Sequence, residues 1–223
     1  LPFGVFEKVL GLPLNEQVAN RYAELVQQTT NGDTEPLAAL RETVLSLAAP
    51  EELKGALREA LTVAGLAWPD DWGTAWSRIK QVWASKWNER AFLSRQRVGL
   101  SHEDLYMAVL IQEVVPADYA FVIHTVNPSN GNRDELFGEM VLGLGETLVG
   151  NYPGRALSFV CHKTTGVQSL LSFPGKSVGL YGDGLIFRSD SNGEDLAGYA
   201  GAGLYDSVLL KTPRQVDLDY TQQ

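Results

Sequence analysis

The sequence has one cysteine, Cys161, so no internal disulfide is possible and a cysteine framework cannot hold the fold. A lone cysteine usually serves as a small buried apolar residue in a reducing compartment, and no paired base marks Cys161 as a nucleophile. The three histidines, His102, His124 and His162, are scattered, with no HxxxH or His–carboxylate spacing. That pattern argues against a zinc centre and leaves any metal ligands unassigned. Positive charge is also scarce. With 18 Lys and Arg against 27 Asp and Glu, the net charge is -9, and no broad basic face is available to release counterions from nucleic acid or an anionic membrane. A neutral polymer remains compatible. No apolar run reaches the roughly 20 residues a membrane-crossing helix needs, so the chain reads as soluble. The opening LPFGVFEKVL lacks both a charged leader and a cleavage-site pattern, and position 1 is not Met, so the chain reads as a trimmed piece. Internal repeats, low-complexity tracts, charge blocks and long heptads are all missing, as are a Walker-type GxxxxGK[ST] and a strict GxGxxG.

What is present is enough apolar material for a sizeable core: 44% hydrophobic residues in a 223-residue chain, fitting one large domain or two small ones. From Asn15 to Gln28, Val18, Tyr22, Leu25 and Val26 fall at helical spacing, and Asn31-Gly32 supplies a stop. Pro36 and Pro50 each sit at a first-turn position of a further helix, the second running through Leu53, Leu57 and Leu61 toward Gly65. After a boundary at Trp68-Pro69-Asp70-Asp71, the residues Trp76, Ile79, Val82, Trp83 and Trp87 continue a helical pattern to about Arg95. Tryptophans at that spacing predict packing; a sugar-stacking platform is the functional alternative. From Tyr106 the texture changes to β-rich runs, YMAVLIQEVV, YAFVIHTV, ELFGEMVL, ALSFVCH and GLIFRSD, separated by Pro, Gly, Asn and Ser. His124 alternates with apolar residues in the second of these and reads as a strand histidine. The expected class is α+β, with a mainly helical part over residues 1–105 and a sheet-rich, mainly antiparallel part over 106–223 belonging to one unit.

Two segments could carry chemistry. In FRSDSNGEDLAGYAGAGLYDS, Phe187 to Ser207, an arginine leaves a predicted strand for a loop of hydroxyls, glycines and carboxylates. Arg188 could fork onto phosphate oxygens, Ser189 and Ser191 could add donors, and Gly193, Gly198, Gly201 and Gly203 would let backbone NH groups approach. The alternative is a glycine-rich turn with Arg188 paired to Asp190 or Glu194, and composition leaves both open. The second segment sets Glu139 and Glu146 beside Gly138, Gly143 and Gly145. Carboxylates there could meet ribose hydroxyls or help hold a metal, or Glu146 could simply favour the first turn of a short helix.

In combination these segments resemble the ATP-binding domain shared by pyruvate phosphate dikinase, phosphoenolpyruvate synthase and the glucan, water dikinases. VWASKWNERAFLSR resembles the helix of those enzymes that ends in "RA". VLIQEVV, AFVIHTVNPSNG and ELFGEMVLGLGETLVG resemble their "VQ-x-MV", "TxNPxTG" and "GE…GE" strands, and FRSDSNGEDLAGYAGAGLYDSV resembles their "VRSSAxxEDL…SFAGxxDT" loop. The wording of KVWASKWNERA and GYAGAGLYDS, together with the arginine loop following rather than preceding the RA helix, is most similar to the α-glucan, water dikinases. A phosphoglucan, water dikinase, a pyruvate-type dikinase or a non-catalytic glucan-binding module are the other readings.

The resemblance implies an ATP-grasp-like nucleotide-binding fold that clamps ATP with Mg²⁺. It implies transfer of the β-phosphate to a histidine on a separate domain of the same parent, then to a glucosyl residue of a starch-like α-glucan, with AMP and orthophosphate as products. Plastid residence follows if the source is a plant or alga. By positional match, Arg188, Ser189, Ser191, Glu194 and Asp195 would lie at phosphates, Gln112 and Glu113 at the adenine-side strand, and Glu139 and Glu146 toward the nucleotide. The family's lysine-bearing glycine segment would precede LPFGVFEKVL, and its metal-binding stretch and phosphohistidine domain would follow Gln223. The expectation is therefore a piece lacking both ends that is inactive alone.

Overall fold

A computed structural model describes residues 1–29, 32–149, 153–196, 199–200 and 203–221, with the side chains of 195–196 and 199–200 left aside. The element order is α1 (Val5–Leu10), α2 (Glu16–Gln28), α3 (Leu37–Leu45), α4 (Glu51–Val63), α5 (Trp72–Ala84), α6 (Glu89–Arg97), β1 (Met107–Glu113), β2 (Tyr119–His124), β3 (Glu135–Leu142), α7 (Glu146–Val149), β4 (Leu157–His162), β5 (Gln168–Ser172), β6 (Lys176–Tyr181), β7 (Leu185–Ser191), β8 (Asp195–Leu196), β9 (Tyr199–Ala200), β10 (Ser207–Leu209) and β11 (Arg214–Asp219). The chain is thus a mixture of helix and sheet. No described helix is long and apolar enough to cross a membrane.

The chain divides into two compact units, Leu1–Glu113 with Leu185–Leu210, and Val114–Gly184 with Lys211–Gln223. The sequence boundary at 105/106 separates helices from strands. The units part elsewhere because β1 pairs along its length with β7, drawing both strands into the helical unit. In that first unit β7 is central, antiparallel to β1 on one side and β10 on the other. Helix α5 packs on all three strands. Its buried Ala75, Trp76, Ile79, Val82 and Trp83 join Leu25, Leu40, Val44, Phe92, Val109 and Phe187 in one core. Asp71 caps α5, its carboxylate accepting from Thr74 N at 3.2 Å, as short polar residues do at helix starts.

The helical pattern read from Trp76 to Arg95 is broken once. Ser85–Trp87 tightens into a 3-10 turn and Asn88 is extended at φ -62, ψ 137. The break buries Lys86 and Trp87, and Lys86 Nζ donates to Leu105 O at 2.8 Å. Arg95 donates to Lys86 O, and both cations lie over the Trp87 ring, at 5.4 and 5.7 Å from its centre.

The second unit holds an antiparallel sheet ordered β2-β3-β4-β5 and a ribbon of β6 with β11. The sequence runs anticipated β1 to β4 and β7. Strands β5, β6 and β11 were not anticipated, because QSLLS, KSVGLY and RQVDLD carry Ser, Gly and Asp that weaken a strand signal. The stop at Asn31 and the glycines Gly198 and Gly201 lie outside the described residues.

Candidate functional site

Strand alternation sorts the candidate residues before any chemistry is invoked. On β7, Leu185, Phe187, Ser189 and Ser191 point to the helix-covered face, and Ile186, Arg188 and Asp190 to the other. Arg188 stands opposite Leu110 of β1 and Ser207 of β10. Gln112, opposite Ile186, is Arg188's diagonal neighbour on the same face, a separation of about 7–8 Å between backbones. That face therefore carries an exposed guanidinium flanked by an amide and a hydroxyl. Arg188 makes no ion pair with any described residue, so the alternative of an exposed turn closed by Arg188 with Asp190 or Glu194 is not what the fold contains.

Arg188 also lies inside its strand rather than at its end, since pairing continues to Met107 opposite Ser191. The loop starts after Ser191. Ser191 is buried and its Oγ accepts from Gly193 N at 3.1 Å, closing the turn. Asn192 stitches it down, accepting from Tyr106 N and donating to Asp104 O, each at 2.8 Å. A Cβ on Gly193 would come within 2.4 Å of Leu105 Cδ1, so that glycine answers to packing. Ser189, opposite Val109, is half-buried on the core face, and Glu113 ends β1 on the face opposite Gln112. Glu194 is half-buried in the turn, and the side chain of Asp195 lies outside the described residues.

Glu139 and Glu146 belong to the other unit. Glu139 sits on β3 between Val122 and Ser158, and Glu146 opens the four-residue α7. The glycines beside them serve the chain's own packing. A Cβ on Gly138 would meet the Phe159 ring at 2.4 Å, and one on Gly143, at φ +78, would lie 1.9 Å from Leu180 O. Among the described residues no three His, Cys, Asp or Glu side chains cluster to hold a metal.

Sequence reasoning missed a contact that ties two of the quoted motifs together. Asn88 Nδ2 donates to Asp206 Oδ1 at 3.0 Å and Arg90 Nη2 to Gly203 O at 3.0 Å, joining WNERA to GLYDS across more than a hundred residues. Burial pushes the Asp206 carboxyl up, partly offset by that amide. The available signal was only that both motifs carry unusual polar residues next to apolar ones. Of the tryptophans, Trp83 and Trp87 are buried as packing predicts, and Trp68, Trp72 and Trp76 stack in a row at 5.3 and 6.0 Å.

The family profile described as pyruvate phosphate dikinase, AMP/ATP-binding domain, matches residues 70–155, from just before α5 through α7. Over 99% of its length the chain is 55% identical to a Citrus reticulata protein named alpha-glucan water dikinase, chloroplastic, and 53% identical to one of the same name from Solanum tuberosum. Nearly the whole chain is thus similar to a segment of proteins named alpha-glucan water dikinase. It spans 16% of the length of those two relatives. A phosphoenolpyruvate synthase of Pyrococcus furiosus is 31% identical over 64% of the chain, covering 17% of that protein. The chain therefore includes a stretch matched by a nucleotide-binding profile, and Arg188 lies beyond that stretch.

Proposed function

We propose that the chain is the nucleotide-binding part of an α-glucan, water dikinase that phosphorylates glucosyl residues of starch-like glucan, using ATP and water and releasing AMP and orthophosphate. The observation that carries this reading is identity of more than half across nearly the whole chain to relatives with that name, against 31% for the phosphoenolpyruvate synthase. The relatives' names also support plastid residence. On this reading the fold is ATP-grasp-like, and a histidine on another domain of the parent carries the β-phosphate to the glucan.

For the residues here, phosphoryl transfer asks for positioning and charge neutralisation rather than covalent chemistry. Arg188 is the side chain best suited to phosphate oxygens: a fork with no ion-pair partner among the described residues, in the middle of a sheet, with Gln112 on the same face able to exchange hydrogen bonds with a base or ribose. Glu113 and Glu194 remain candidates for the nucleotide's hydroxyls, and Ser189 and Ser191 for donors after a local rearrangement of the turn. Mg²⁺ would neutralise phosphate charge, needing from the protein one or two carboxylates. No step is assigned to it, since no described cluster supplies a ligand set.

The test uses the full-length protein, given ATP labelled at the β or the γ position together with solubilised amylopectin. Label is expected in the glucan from the β position and in orthophosphate from the γ position, and Arg188→Ala should cut phosphorylation of the histidine by about a hundredfold. Label reaching glucan from the γ position, or near wild-type histidine phosphorylation by a folded Arg188→Ala variant, would overturn the reaction or the site respectively.

A further inference from the structure

The second unit contains a cavity of about 270 Å³ between its four-stranded sheet and the β6–β11 ribbon, large enough for a small organic molecule. Tyr119, Phe173 and Tyr220 line it together with Leu157 and Leu218, and the rings of Phe173 and Tyr220 lie 5.2 Å apart at 58°. Among the described lining residues the one charged side chain is Arg155. The hydroxyl of Ser177, also on the lining, is already used, accepting from Arg155 N and donating to Arg155 O, both at 2.8 Å. That leaves the Arg155 backbone fixed and its guanidinium without an ion-pair partner among the described residues. The adjacent carboxylate, Asp219, falls between Leu218 and Tyr220 and is turned to Lys176 at 3.5 Å.

The charge on the lining is one-sided. Arg155 is cationic, and among the described lining residues none is a carboxylate or a side-chain amide, while the hydroxyls of Tyr119 and Tyr220 can donate or accept. A charged ligand that suits this lining is therefore an anion, on a body apolar enough to lie against leucine and aromatic rings. We propose that this cavity binds a small organic anion, an apolar or aromatic body bearing one carboxylate or phosphate, with its head on Arg155 and its body against Phe173 and Tyr220. None of these residues belongs to the nucleotide site proposed above, so the two readings stand or fall separately.

The experiment titrates the whole ¹⁵N-labelled chain with phenyl phosphate and benzoate, and with benzyl alcohol and maltose as neutral probes. Both anions should give saturable shifts at the amides of Tyr119, Phe173 and Tyr220. Arg155→Gln should weaken phenyl phosphate by about tenfold or more, the scale of one charge-assisted contact. Phe173→Ala should weaken it as well, and Lys176→Gln should leave it within about twofold, as expected of an exposed, screened charge. Arg155 is exposed and its side chain makes no ion pair among the described residues, so the variant should fold, as an unchanged spectrum away from the cavity would show. The proposal is overturned if saturation is absent up to tens of millimolar, roughly the limit for a one-contact fragment, or if Arg155→Gln binds as well as wild type. It is also overturned by equal loss in Lys176→Gln, by maltose or benzyl alcohol matching phenyl phosphate, or by shifts confined to Gln112 and Arg188.

Discussion

The two units reach order by different routes. The helical unit buries side chains: Ile79, Val82 and Leu40 are inaccessible, and Trp76, Trp83 and Trp87 are nearly so. Among described apolar residues of the strand unit, only Val114, Val141, Leu144 and Leu180 are buried. Its sheet leaves Tyr119, Phe121, Ile123, Leu170 and Leu171 half exposed. What specifies that unit is backbone: ladder pairing, and glycines and asparagines at fixed places. Gly143 lets Leu144 N reach Leu180 O at 2.7 Å. In the β2–β3 turn, Asn127 Nδ2 donates to Glu135 at 2.6 Å, and Asn127, Asn130 and Asn132 each accept from a backbone N–H two residues on. Those amides, Asn127 first, hold the Glu135 carboxyl below the usual carboxylate range. Side-chain packing tolerates few volume changes, whereas backbone-specified structure tolerates most side-chain changes and few glycine ones.

The largest expected effect is therefore in the helical core. Trp87 is 1% exposed, against Tyr22, Phe92 and His102. Trp87→Ala should cost about 4 kcal/mol in denaturant unfolding, the usual scale for a buried aromatic. A loss under about 1 kcal/mol, the ordinary surface range, would break the comparison at its stronger end. Next comes Gly143→Ala. The new Cβ meets a backbone oxygen that cannot rotate away, on top of a positive φ, so the loss should exceed about 2 kcal/mol. Gly131→Ala, at φ +72 with open space around it, isolates the conformational part and should cost about 1 kcal/mol. Equal losses at the two glycines would mean that the close approach to Leu180 contributes nothing.

A third prediction sharpens the contrast through pH. Burial, reinforced by the neighbouring Arg95 charge, pulls the Lys86 ammonium down to about 8 from 10.5. Between those values the unfolded chain binds the proton and the folded chain does not, so stability from this group rises with pH, by at most about 1.4 kcal/mol per unit. Below pH 8 both states are protonated and the contribution is flat. In Lys86→Met the rise between pH 8 and 10 should vanish relative to wild type, measured as the difference between two urea-unfolding series. A difference independent of pH would show that Lys86 reaches water.

How much of this was legible in the sequence follows the same division. Helical spacing located α2 and α5, and Pro36 and Pro50 marked the starts of α3 and α4, because those signals are local. The candidate loop was found for the same reason, by composition. What spacing could not give is which partner a residue meets: that Ser191 turns inward because β7 pairs as far as Met107, that Gly193 faces Leu105, or that Gly138 lies under the Phe159 ring. Gly193, read as room for a phosphate chain, and Gly138, read beside a candidate carboxylate, are both room for the protein itself. Arg188 stood out by type, but its neighbours Leu110, Gln112 and Ser207 come from strands distant in sequence.

The smallest expected effect tests the strand unit's exposed face. Phe121 is 52% exposed, and Ile123, two residues on along the same face, is 55% exposed. Alternation sets them opposite Met140 and Gly138 of β3. Phe121→Thr keeps the β preference of the strand while removing the ring, so only half-exposed area and one cross-strand pairing are lost. Together these are worth about 1 kcal/mol or less. The melting temperature should move by only a few degrees, and ladder amides of β2 and β3 should keep their hydrogen-exchange protection. A loss comparable to Trp87→Ala would mean that this face is covered in solution and that the strand unit, too, depends on buried side chains. The cover would then be identified by asking whether the loss depends on protein concentration: a second copy of the chain makes it so, and a contact within one chain does not.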